Sequence, residues 1–266
     1  MRLLFLGSGS AHTVEADNFQ SNMMLIADNG RRLLIDCGSD VRWSLAKQGL
    51  SHVDVTDIYV SHLHADHIGG LEYVGFQRKF DPRCRRPRLY LETSLVGPLW
   101  NHALRGGMGV ITGTEATLET FFDLCPVTEN QPFEWEGARL EPVSTVHVCG
   151  KNATVNSYGL LIEHDGYHTF LTTDTQFTPG RLAAHYAAAD RIFHDCETGH
   201  AETGVHAGFD ALVHLPEAIR AKTWLYGYPP GPLPDAVSAG FRGFVRAGQS
   251  FNLRKDGRQK VISPVG

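Results

Sequence analysis

Three features of the sequence predict an α/β fold. Short apolar runs of strand length alternate with amphipathic runs of helical length: Arg32–Ile35 is followed by a helical stretch from about Asp40 to Gln48, and Asp57–Val60 by one from Ile68 to Lys79. Turn residues such as Asp28-Asn29-Gly30 punctuate these runs. Four side chains able to bind metals, His62, His64, Asp66 and His67, gather in the turn that follows the strand candidate Asp57–Val60.

The 266 residues carry no low-complexity linker and no repeat, so one domain spanning 1–266 is expected. A hydrophobic content of 42% is enough to build a real core. The net charge of −5 argues against a generic polyanion binder, while leaving room for a local basic patch. Five cysteines at 37, 84, 125, 149 and 196 form no C-x-x-C pair, which points to reduced thiols and a cytoplasmic setting. The apolar start Met1–Leu6 is too short for a secretion signal. No apolar run approaches the roughly 20 residues that span a bilayer, so no membrane association is expected.

Taken in order, Arg2–Leu6 reads as the first strand and breaks at the turn Gly7-Ser8-Gly9-Ser10-Ala11. A phosphate cradle there would require a following helix, and none is evident, because Asn18–Ala27 reads as strand. Asn22–Ala27 and Arg32–Ile35 form a hairpin around Asn29-Gly30. Asp40 is placed to cap the next helix and Gly49 to stop it. After Ile68–Lys79 comes the densest basic run, with Arg78, Lys79, Arg83, Arg85, Arg86 and Arg88: a solvated loop, or a positive approach to an anionic substrate. Residues 94–116 begin helical around Leu95–Leu104 and turn glycine-rich at Gly106-Gly107-Met108-Gly109, which suits a lid or a disordered tip. Strands are expected at Phe121–Cys125, Arg139–Val146, Ser157–Glu163, His168–Thr173, Arg191–His194 and Thr223–Tyr226, with helices near Pro179–Ala189 and Phe209–Ala221.

The chemistry concentrates in Ser61-His62-Leu63-His64-Ala65-Asp66-His67-Ile68-Gly69-Gly70. Two histidines spaced i, i+2 in an irregular turn can both reach one metal, and the adjacent Asp66-His67 can reach a second beside it. Imidazole and carboxylate suit zinc, manganese or iron, and two ions about 3.5–4 Å apart can clamp an in-line displacement. Asp36 follows a buried strand and is placed to accept a hydrogen bond from a ligand imidazole.

His62-x-His64-x-Asp66-His67 followed by Gly69-Gly70 resembles the signature of the metallo-β-lactamase-fold hydrolases, and Leu6-Gly7-Ser8-Gly9-Ser10 is similar to the opening of their ribonuclease Z-like phosphodiesterase branch. The resemblance covers roughly residues 2–230 and implies a four-layer α/β/β/α sandwich. It implies that His147 completes a three-histidine site with His62 and His64, and that Asp174 bridges to the site of Asp66 and His67. Taken alone, His147 reads as a surface histidine and Asp174 as a turn former. In such phosphodiesterases a histidine in a segment like Thr203-Gly204-Val205-His206-Ala207 protonates the leaving oxygen, which makes Asp66 and His206 the candidate catalytic residues. The family's seventh ligand, a histidine at the end of the last core strand, is replaced by Gly227; His194 and His200 are the candidates to fill the gap. His12 reads as structural or solvated.

The expected activity is metal-dependent hydrolysis of a phosphodiester in a small nucleotide or related anion, using one or two ions, zinc foremost. The absence of a long basic arm argues against a full tRNA processor. The alternatives are lactone or thioester hydrolysis on the same centre, favoured by an apolar pocket without arginines, and a metal- or nucleotide-binding protein without turnover. A homodimer is expected by analogy with the fold.

Overall fold

A computed structural model describes residues 1–199 and 203–254. Two seven-stranded sheets lie face to face. The first runs in the order Ser250–Asn252, Arg2–Phe5, Met23–Ile26, Arg32–Ile35, Asp57–Val60, Arg88–Glu92 and Asp123–Val127. The second runs Gly243–Phe244, Thr223–Tyr226, Arg191–Asp195, Tyr167–Leu171, Thr154–His164, Ala138–Cys149 and Phe133–Trp135. Helices Val41–Lys47 and Leu71–Phe80 cover the outer face of the first sheet, and Pro179–Ala188 covers that of the second.

Strand alternation builds this α/β/β/α sandwich. In Leu3-Leu4-Phe5, Leu3 and Phe5 point between the sheets while Leu4 points to the outer helices. Ile58 and Val60 likewise pack outward while Tyr59 points inward. Both faces are buried, so these strands read as continuous apolar runs rather than alternating ones. The inner core joins Phe5, Leu25 and Ile35 to Leu160, Leu171 and Phe193. Phe5 meets Phe193 at 5.1 Å and Tyr226 at 5.5 Å between ring centroids.

Several boundaries differ from the sequence expectation. The helix expected from Ile68 is two pieces, Ala65–Ile68 and Leu71–Phe80, so Asp66 and His67 lie on a short helical turn while His62 and His64 precede it. Asp40 stands at the helix N-terminus, but its carboxylate accepts from the Gln20 amide at 2.9 Å and does not cap. Residues 94–116 take regular structure past the glycines: Thr93–Pro98 leads into a π-helical turn, then Arg105–Met108 and a hairpin of Val110–Ile111 with Thr114–Glu115. The helix expected over Phe209–Ala221 breaks into Phe209–Leu212 and Glu217–Arg220, because Pro216 cannot donate a helical hydrogen bond. The strand expected at Phe121–Cys125 is shifted to Asp123–Val127, since Leu118–Phe121 closes a helical turn first.

At the start of the interior strand Asp57–Val60, Asp57 is fully buried and pairs with Arg31 and Arg88, which also reach Glu136. Burial alone pushes the Asp57 carboxyl up, but the two guanidiniums outweigh it and hold it below the usual carboxylate range. A carboxylate depressed in the folded state contributes stability above about pH 4 that is lost as the pH falls through its folded pKa. Asp57→Ala is therefore expected to cost about 3 kcal/mol near neutral pH, at the low end for a broken buried pair because both arginines are partly exposed. The difference from the native chain should shrink toward pH 3 in urea unfolding; a pH-independent difference would assign the loss to packing.

Candidate metal centre

The parallel strands of both sheets end at one edge of the sandwich, and the polar side chains gather there. Asp36 follows Ile35, His62 follows Val60-Ser61, Asp174 lies beyond Leu171, Asp195 closes Arg191–Asp195, and Gly227 follows Tyr226. The seam between the sheets is hydrogen bonded beneath this edge: Tyr59 Oη donates to the Tyr158 carbonyl at 2.9 Å and the Tyr158 amide to the Ser61 carbonyl at 3.0 Å.

Three imidazoles converge on one point. His64 Nδ1 lies 3.0 Å from both His62 Nε2 and His147 Nε2. The outward nitrogens of the other two rings are engaged, His62 Nδ1 with the Ser61 hydroxyl at 3.0 Å and His147 Nδ1 donating to the Val205 carbonyl at 2.9 Å. The His147 ring therefore turns an unprotonated nitrogen inward when neutral. Burial, reinforced by neighbouring His67, holds His62 well below the usual imidazole range. Burial and His147 lower His64 as well. Both are thus kept in the neutral form a metal ligand requires.

His147 was expected at the end of a strand; instead it sits inside Ala138–Cys149, where the pairing register with Thr154–His164 shifts between Val146 and Val148. The extra residue of a β-bulge re-aims its side chain, and here it turns His147 into the cluster. Asp174 lies past its strand, after Thr173 in a left-handed conformation at φ 53°. Its Oδ2 is 3.5 Å from His147 Nε2, 3.9 Å from His62 Nε2 and 3.3 Å from His67 Nε2, central to both halves.

The second half is Asp66, His67 and Asp174. Asp36, itself left-handed at φ 62°, accepts from Ser61 and from His67 Nδ1 at 2.7 Å. That bond leaves His67 Nε2 facing Asp66 Oδ2 at 2.9 Å and Asp174, without a hydrogen-bond partner among the described residues. Burial lowers His67, but the carboxylates of Asp174, Asp36 and Asp66 outweigh it and hold its pKa well above the ordinary value. A buried, orphaned imidazole nitrogen between carboxylates calls for a proton or a cation. The donor set fits divalent ions: His62, His64 and His147 form one group, and His62, His67 and Asp174 another.

His194 does not fill the gap left at Gly227. Adjacent strand residues face opposite sides, so His194 points to the outer layer, where its ring meets Tyr186 Oη at 2.7 Å, and Asp195 faces the site. His200 lies outside the described residues. Gly227 has φ 81°, and a Cβ there would overlap Asp195 Oδ1. The glycine therefore makes room for Asp195, and within the strand end His194-Asp195-Cys196-Glu197 it is the aspartate that faces the site. Asp195 Oδ2 accepts from His206 Nδ1 at 2.7 Å and from the Thr175 amide at 3.0 Å. Burial lowers His206, but Asp195 outweighs it and pushes its pKa up to about 10.

The cluster opens into a cavity of about 430 Å³ lined by His64, Asp66, His147, Asp174 and His206 together with His12, Val205, Pro229 and Pro230. His12, read from sequence as structural or solvated, stands at this rim. The two rim loops are tied by backbone bonds, Ser10 to the Tyr228 carbonyl at 3.0 Å and Gly227 to the Ser8 carbonyl at 2.9 Å. The basic run does not approach. Arg83 pairs with Asp81, Arg86 with Asp123 and Arg88 with Asp57, and no arginine or lysine among the described residues lines the cavity.

Comparison with known proteins agrees with this architecture. Residues 1–251 match the family described as Anti-Pycsar protein Apyc1. A relative of that description from Paenibacillus harenae is 37% identical over 233 residues, covering 86% of this chain and 90% of its own. The fold is that of YhfI, a metallo-β-lactamase fold protein from Bacillus subtilis, with TM-score 0.73, 15% identity and coverage of 94% and 99%. The short form of human tRNase Z superposes with TM-score 0.67 at 16% identity, covering 96% of this chain and 100% of that one.

Two outcomes follow from this geometry. Asp36→Ala frees the His67 ring, and loss of such an outer hydrogen bond is expected to weaken metal retention about 10–100-fold in chelator competition. Gly227→His is expected to destabilise the chain instead of tightening an ion, because the left-handed backbone and Asp195 both reject a side chain. A Gly227→His protein that melts like the native chain and holds metal more tightly would overturn that account.

Proposed function

This chain belongs to the Apyc1 family of anti-Pycsar proteins, and we propose that it is a metal-dependent hydrolase that cleaves a phosphodiester in a small cyclic or linear nucleotide. In this reading His62, His64 and His147 would hold one ion and Asp66 and His67 a second, with Asp174 placed to serve either, since a carboxylate offers two oxygens. Zinc suits the donors best, with manganese or iron as substitutes. Such ions supply Lewis acidity and an activated water near neutral pH. The anti-Pycsar role by which the relatives are described is part of this proposal.

The observation that carries the reading is His206. Its Nδ1 is hydrogen bonded to buried Asp195 at 2.7 Å, which favours the protonated ring, and stands 4.0 Å from Asp174 Oδ2, beside the His62 cluster. A proton donor so placed serves an alkoxide leaving group, which departs poorly unprotonated. Asp195 acts through His206 as its positioning residue. A cavity of about 430 Å³ suits a ligand of mononucleotide size. Walls formed by Ala11, His12, Val205, Pro229 and Pro230 offer apolar surface for a base.

One observation favours a second reading, lactone or thioester hydrolysis: the described lining holds no arginine or lysine for an anionic substrate. In the phosphodiesterase reading the positive charge comes from the ions and from His206.

Chelation should abolish turnover of an aryl phosphodiester and added zinc or manganese should restore it; unchanged turnover in verified metal-free protein would sink the proposal. Metal-loaded protein that cleaves aryl lactones or thioesters but no phosphodiester would establish the second reading. His206→Ala should lose about 10²–10⁴-fold with an alkyl leaving group and little with nitrophenolate, which leaves without a proton. Equal losses on both substrates would make His206 structural.

A further inference from the structure

Away from the cavity, a second set of metal-binding side chains meets beneath the C-terminal end of helix Leu71–Phe80. His52, Asp81 and Cys84 each offer one ligand atom, and these atoms lie within 4.8 Å of one another. His52 Nε2 is 3.0 Å from Asp81 Oδ2. None of the three lines the cavity. We propose that His52, Asp81 and Cys84 form a separate binding site for a borderline-soft divalent ion, zinc foremost, with the thiol ionised on binding and its proton released to water.

The local backbone presents these atoms together. Asp81-Pro82-Arg83-Cys84 is a tight turn closed by the Cys84 amide donating to the Asp81 carbonyl at 2.9 Å. The turn sets the carboxylate and the thiol three positions apart on one short loop, the spacing of ligand pairs in many structural zinc loops. His52 arrives from the turn His52–Asp54, more than 25 residues earlier in the chain. Arg78 holds the two segments against each other, since its buried guanidinium donates to the carbonyls of Arg85, His52 and Val53. With Arg83 laid against the carboxylate, the side chains of His52 and Asp81 are 15% and 11% exposed.

Tetrahedral zinc bonds of about 2.0–2.3 Å place ligand atoms roughly 3.3–3.8 Å apart, so the cluster needs only side-chain rotation to close. Three protein ligands leave a fourth position for water. Arg83 is the competitor: it chelates Asp81 through both oxygens, with NH2 at 2.6 Å from Oδ2. Its side chain is 74% exposed and can swing into solvent. Asp81 Oδ1 would stay fixed by the Arg83 amide at 2.9 Å, leaving Oδ2 beside His52 for the ion. An ion there would join the turn before Asp57–Val60 to the loop before Arg88–Glu92, at the opposite end of the helix from the His62 cluster.

The absence of any cysteine from the His62 cluster makes the site spectroscopically separable. Metal-free full-length protein is titrated with cobalt(II). Thiolate ligation gives a near-ultraviolet charge-transfer band, whereas a site of imidazole and carboxylate gives only weak visible bands. The expected result is a charge-transfer band in the native chain that is lost in Cys84→Ser and diminished in His52→Gln, with cobalt bound per chain falling by one. Phosphodiesterase turnover, if present, should be the same in Cys84→Ser and native protein, so the outcome does not depend on the proposed activity. No charge-transfer band at saturating cobalt, or a band that survives in Cys84→Ser, would overturn the proposal.

Discussion

Buried carboxylates at one edge of a sandwich set the terms for everything around them. Asp36, Asp174 and Asp195 are withdrawn from water at the ends of parallel strands, with Asp66 beside them. Burying charge without a partner is costly, so each must be answered by a cation or by several donors. Asp36 is answered by Ser61 and His67, and Asp195 by Thr175 and His206. Asp66 and Asp174 face the inward nitrogen of His67, which can donate to them only when the ring is charged, since Asp36 accepts from the other nitrogen. A divalent ion resolves this with the rings neutral. The left-handed backbone at Asp36 and Thr173 shows that local geometry gives way to this requirement, held in place by the strands beneath.

The sandwich is what allows the requirement to be met. Neither sheet contains a complete site. The first contributes Asp36, His62, His64, Asp66 and His67, and the second His147, Asp174 and Asp195. The apolar layer between them, with Phe5, Phe193 and Tyr226 in mutual contact, fixes the distance between the two sets. The hydroxyl of Tyr59 and the amide of Tyr158 lock the seam directly below His62. Packing at interior density tolerates little slack, so the three ring nitrogens can be held at 3.0 Å spacings across two sheets.

Charge is distributed differently from what composition suggests. The arginine run is paired instead at the starts of strands in the first sheet and on the loop after helix Leu71–Phe80, with Asp57, Asp81 and Asp123. The cavity instead carries imidazoles, carboxylates and prolines. An anionic substrate there would depend on bound ions and on the charged His206 ring for its attraction. The same helix thus joins two chemically distinct clusters: imidazoles and carboxylates at its N-terminal side, and a thiol-containing group at its C-terminal side.

The sequence by itself determined the alternation of strands and helices and the gathering of four donor side chains in one turn, because both are written locally; the sandwich followed only from the resemblance of that turn to the metallo-β-lactamase-fold signature. Strand-length apolar runs mark layers buried on both faces, and His62, His64, Asp66 and His67 fall within six residues, so a single turn brings them together whatever the rest of the chain does. Asp36 was legible for the same reason, as a polar residue at a buried strand's end. Tertiary structure alone decided what depends on register and on distant contacts. His147 reaches the cluster through a bulge that no periodicity announces. In His194-Asp195 the strand's pleat turns the histidine away and the aspartate in, a choice that one residue of register reverses. Gly227 looks like a missing ligand in one dimension and is the space occupied by Asp195 in three. The basic run reads equally as a solvated loop or as a substrate approach until Arg83, Arg86 and Arg88 are placed beside carboxylates, one of them 48 residues away in the chain.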